Sequence, residues 1–87
     1  MTDPDQRLEQ TIMRLLEQRA DTSSICPSDV ARAAHEGDDD GWRDLMEPVR
    51  RAAWRLAAAG EVEVTQAGRP VKESEARGPL RIRRARR

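Results

Sequence analysis

A chain of 87 residues holds one small domain, and at this size only about 60% of the unfolded surface is buried, which leaves little room for a deep catalytic pocket. Hydrophobic and charged residues each make up 37%, and Trp42 and Trp54 are the only aromatics, so Leu, Ile, Val, Met and Ala must form the core. The net charge of zero hides a split: residues 1–41 carry four Arg and ten acids, residues 42–87 carry twelve Arg or Lys and six acids.

The last twelve residues hold six Arg and no acid. Such a dipole offers a basic end to a polyanion, although charges paired within a soluble protein give the same composition. All basic residues but Lys72 are Arg, which suits bidentate phosphate contact; joint Ala and Arg enrichment also follows from GC-rich coding. Cys26 is alone, so no disulfide framework or Cys-based metal site is expected. The acidic, polar start MTDPDQRLEQ is unlike a signal peptide, and no apolar run approaches a membrane span. The cytoplasm is the expected location.

In chain order, Asp3 as cap, Pro4 at the first helical position and Gln6 as capping partner predict a helix start. Leu8, Ile12, Leu15 and Leu16 continue it as an apolar stripe, with Met13 and Ala20 beside it. Residues 22–25 read as a brief strand or extended linker. Cys26-Pro27 opens a second helix, with Asp29 at its third position and Ile25 and Val30 as a hydrophobic staple. Val30, Ala31 and Ala34 give this helix a thin apolar face that ends before Gly37.

The loop His35–Gly41 is acidic, but a calcium loop beginning at Asp38 would place Trp42 at a ligand position, and one His is too little for zinc. Solvated acids that cap the next helix explain the loop without a metal. A third helix is expected from Asp40 to Ala59, stopped by Gly60. Trp42, Leu45, Met46, Val49, Ala52, Ala53 and Leu56 share one phase through Pro48, which predicts a single helix bent there. Beyond Gly60 the period changes to two. Val62 and Val64 face inward, Ala67-Gly68 turns, and Arg69-Pro70-Val71 returns as an edge strand. After a polar connector over 72–77, Leu80 and Ile82 mark a last strand, and Arg84–Arg87 read as a frayed basic tail. The pairing order of the later strands stays open, and the domain is taken as residues 1–84.

Helix, short strand, helix, helix and small antiparallel sheet is the order of an α+β winged helix-turn-helix domain, in which the third helix enters a major groove beside a β wing. The runs ICPSDVARA (Ile25–Ala33), WRDLMEPVRRAAWRLAAAGEVEVTQAG (Trp42–Gly68) and ARGPLRIR (Ala76–Arg83) also resemble an uncharacterised bacterial family of small winged-helix proteins, over roughly residues 8–84. The resemblance implies the fold and carries no assigned biochemical role. Some members add a Cys-rich segment that this sequence lacks, and at Trp54 members more often hold a small or basic residue.

The residues themselves point to nucleic acid, with duplex DNA as the expected partner. Arg43, Arg50, Arg51 and Arg55 lie on the outer side of the third helix, with Trp54 among them; Arg69 and Lys72 sit near the wing tip. Trp54 either lies against sugar or an unpaired base or packs under a C-terminal segment folded over the helix. Internal pairing competes: Glu47 and Asp44 lie within helical reach of the arginines, and Glu61 and Glu63 can face Arg81 and Arg83 across the sheet. The alternative reading is a protein-interaction or dimerisation module, with the tryptophans in an apolar patch rimmed by Arg. No cofactor and no catalysis are expected: neither His35 nor Cys26 has an identifiable catalytic partner, and no phosphate-binding glycine motif is present.

Overall fold

Asp3 Oδ1 accepts a hydrogen bond from the Gln6 amide at 3.0 Å and opens α1, Pro4–Glu17. This local geometry comes from a computed structural model that describes residues 3–20, 23–37 and 39–85. Leu8, Ile12 and Leu16 of α1 are buried, whereas Leu15 of the stripe and Met13 beside it are half-buried, and Ala20, also placed beside it, is exposed. Thr11 is buried as well; its hydroxyl donates to the Arg7 carbonyl at 2.9 Å, so the polar atom stays satisfied.

Two residues, Ser24–Ile25, form β1; Thr22, assigned to the same extended stretch, lies outside the described residues. At the start of α2, Pro27–Ala34, the Asp29 carboxylate accepts from the Cys26 amide at 3.1 Å. Ile25 and Val30 are both fully buried, as a staple requires. One bent helix over Asp40–Ala59, expected from the unbroken apolar phase, is instead two segments. A 3-10 helix spans Asp40–Leu45, and α3 spans Met46–Ala58. The cause is Pro48. It has no N–H to give to the Asp44 carbonyl, and it falls in the first turn of α3, where a helix needs no such bond. At the other end, Gly60 adopts φ 78°, with its amide on the Ala57 carbonyl at 3.0 Å and the Glu61 amide on the Leu56 carbonyl at 2.9 Å. This is the paired closure of a left-handed helix cap.

The sheet comprises β1, β2 (Val62–Gln66), β3 (Arg69–Pro70) and β4 (Arg81–Arg84), all antiparallel, in the order β1-β4-β2-β3. Both later strands thus lie beside β2, one on each side. Ile82 pairs with Ile25 on one flank and Val64 on the other, and all three are buried. Arg84, expected in the tail, pairs with Val62 in β4, and the Ala85 amide reaches the Glu61 carbonyl at 3.3 Å. Arg86 and Arg87 of the expected tail lie outside the described residues. The three α-helices pack on one another, and α3 packs against β2. Fourteen buried apolar residues from every layer form one core, with Leu80 and Ile82 from the C-terminal end included. The architecture is α+β: three α-helices and a four-stranded antiparallel sheet. No described helix is long and apolar enough to cross a membrane.

Candidate functional site

Val49, Ala52, Ala53 and Leu56 of α3 point into the core. With 3.6 residues per turn, Glu47 and Arg51 then fall on the outer ridge, Arg50 and Trp54 on one flank and Arg55 on the other. The observed partners follow this division. Arg55 leans to α1, where its Nε donates to Glu9 Oε2 at 2.9 Å and its guanidinium reaches the Asp5 carbonyl at 3.4 Å. Arg50 pairs with Glu47 at 2.9 Å along its own helix. Arg43 lies in the 3-10 segment, over the Trp42 ring at 4.9 Å from its centre, and Arg32 of α2 lies over the same ring at 4.5 Å. Trp42 is half-buried at this corner, although its phase predicts a core position. Arg51 is exposed and engages no acid among the described residues.

Three more exposed cations without an acidic partner sit on the connection from β2 to β4: Arg69 in β3, Lys72 beyond it, and Arg77. A second short 3-10 turn, Glu73–Glu75, lies between the last two. The connection is held by Gln66. Its Oε1 accepts from the Arg77 amide at 3.0 Å, and its Nε2 donates to the carbonyls of Arg77 and, at 3.1 Å, Pro79. One amide side chain thereby fixes the path of a segment eleven or more residues downstream. Neither Gln66 nor Arg77 stands out in the sequence, because the bond that joins them is non-local and follows no periodicity.

Two arginines of β4, Arg81 and Arg83, are structural. Arg83 pairs with Glu63 across β2 and β4 at 2.8 Å, as the alternation predicts. Arg81 instead donates to the hydroxyl and carbonyl of Ser24, at 2.9 and 2.8 Å, and fastens β1 to β4.

Trp54 is half-buried against the core, on the side where the connection crosses α3. Arg50, Trp54, Glu73, Ala76, Gly78 and Leu80 enclose an open cleft of about 260 Å³ there. The outer side of α3 is therefore partly roofed at Trp54 and open at Arg51. Arg50 Nε is buried and has no hydrogen-bond partner among the described residues. A buried donor left unsatisfied costs about 1–3 kcal/mol, so this guanidinium is held below its full bonding capacity.

Two carboxylates are electrostatically set. Burial pushes the Asp29 carboxyl up, but hydrogen bonds from Cys26 and the charges of Arg19 and Arg81 outweigh it and hold the group below its ordinary 3.8. Asp39 is also held low, chiefly by its 2.6 Å contact with His35 and by the Gly41 amide. Asp39 therefore caps the 3-10 segment, the capping role that the sequence assigns to the loop acids; Asp38 lies outside the described residues. Among the described residues no group of three or more His, Cys, Asp or Glu could hold a metal ion. Cys26 is half-buried, with Sγ 2.8 Å from Ser28 Oγ.

A family model described as a protein of unknown function, DUF3253, matches residues 5–85. No curated protein matches the chain.

Proposed function

The chain belongs to the DUF3253 family of proteins of unknown function, and we propose that it is a winged helix-turn-helix module that binds nucleic acid, with duplex DNA as the ligand. Besides Arg14 on α1, four exposed cations, Arg51, Arg69, Lys72 and Arg77, engage no acid among the described residues, and these four carry this reading. One stands on the ridge of α3 and three on the connection beyond β2. Topology supports the same reading. A short strand between the first two helices joins a sheet whose later strands follow α3 directly, so the connection Ala67–Leu80 serves as the wing. On DNA, α3 would enter the major groove through Arg51 while Arg69, Lys72 and Arg77 meet phosphates.

Of the residues that the sequence nominates, Arg51, Arg69 and Lys72 keep the role unaltered. Arg50 joins them by giving up an exposed ion pair of little worth. Arg43 contributes only by leaving the Trp42 ring, and Arg55 is committed to Glu9 on another face. A labelled duplex titrated at two salt concentrations, alongside sizing chromatography of the free protein, tests the proposal. Binding that weakens steeply with salt and is lost in Arg51→Glu is expected. No duplex binding together with a concentration-dependent dimer would overturn it in favour of a self-association module.

A further inference from the structure

The cleft between α3 and the wing brings together an indole, a guanidinium and a carboxylate, from Trp54, Arg50 and Glu73. We propose that this cleft receives a single unpaired guanine base, an assignment that rests on the nucleic-acid reading above and names the base that it would hold. Trp54 offers a flat apolar surface beside Leu80 and Ala76, and stacking on an aromatic ring is available to every base. The hydrogen-bonding groups then select among the bases. Arg50 is tied to Glu47 by one contact at the helix surface, so its fork is free to turn towards an acceptor in the cleft. Glu73 supplies acceptors only.

A ligand that satisfies both must present acceptors to the cation and donors to the carboxylate. Guanine carries O6 and N7 for the first and two adjacent N–H donors, on N1 and N2, for the second. Adenine, cytosine and thymine have no such pair of neighbouring donors for one carboxylate. A simple anion is repelled by Glu73, and a purely apolar group leaves the Glu73 carboxylate unpartnered. A cleft of about 260 Å³ open to solvent admits one base and excludes a base pair. The preferred nucleic acid is therefore a duplex with one splayed or unpaired guanine.

The test uses the full chain carrying Trp42→Phe, so that Trp54 is the sole fluorophore. Guanosine and cytidine 5′-monophosphates, which share one phosphate, are titrated against its emission. In parallel, a duplex with one bulged guanine is compared with the same duplex fully paired. Saturable quenching by the guanine nucleotide alone is expected, with the bulged duplex bound about tenfold more tightly, the scale of one stacking contact. Glu73→Gln should remove that preference and leave paired-duplex binding intact. Equal quenching by both nucleotides, or a bulge preference undiminished in Glu73→Gln, overturns the proposal. Failure of every duplex to bind overturns the nucleic-acid reading instead, and the nucleotide titration still decides the fate of the cleft.

Discussion

Ala67 adopts φ 51° and Gly68 φ 78°, in the two-residue turn between Gln66 and Arg69. Both signs match the tight hairpin turn that suits twisted strands, but a Cβ in the left-handed region costs about 1–2 kcal/mol. Ala67→Gly removes that strain at some cost in unfolded-state entropy, and a net gain of about 0.5–1 kcal/mol in urea unfolding is expected. The turn itself is evident from Ala67-Gly68, because a glycine between two apolar alternations is a local signal. Asp29 is read as easily: its spacing from Cys26 and Pro27 places it at the third helical position, and the carboxylate bonds there as expected. Since its folded pKa lies below 3.8, the charged form favours the native state above that value. That contribution disappears as pH falls from 3.8 through the lower folded value. Asp29→Asn should therefore destabilise at neutral pH, and its stability difference from the parent should shrink towards zero in acid unfolding curves below pH 3.8.

At the scale of elements, α1 and α2 are legible because cap, proline and apolar stripe all lie within a few residues of one another. The third helix is legible in phase but not in type, since a single proline decides whether the preceding turn is α or 3-10. Strand order is not legible, although the Glu63–Arg83 pair across β2 and β4 is. The pairings of β1 with β4 and of β2 with β3 and β4 join segments whose patterns are equally compatible, and only the closed core chooses among them. The candidate site shares that difficulty: Arg55 finds Glu9 across 46 residues, whereas the Arg50–Glu47 pair follows from helical spacing. The connection from β2 to β4 depends most on Gln66. Gln66→Ala deletes the acceptor of the Arg77 amide and both donations to the Arg77 and Pro79 carbonyls. With exposed bonds worth about 0.5–1.5 kcal/mol each at most, the connection should open locally while the helices persist. Hydrogen exchange at the Arg77 amide is expected to rise, with helical circular dichroism unchanged.

For the molecule as a whole, the two charge populations segregate by structure as well as by sequence. Asp5, Glu9 and Glu17 lie on α1, where the Glu9 carboxylate and the Asp5 main-chain carbonyl hold Arg55, while Arg51, Arg69, Lys72 and Arg77, four cations without acidic partners, belong to α3 and the connection beyond β2. If those four meet phosphates, the logarithm of duplex affinity should fall with the logarithm of salt with a slope of about −3 to −4, and Arg51→Glu should reduce its size by about one. The sheet adds a consequence of its own. Its outermost members, Ser24–Ile25 and Arg69–Pro70, are each two residues long, and Pro70 contributes no amide hydrogen. A neighbouring chain would find almost no backbone ladder to extend on either border. Lateral growth into fibrils is thus resisted by the shortness of the rim among the described residues.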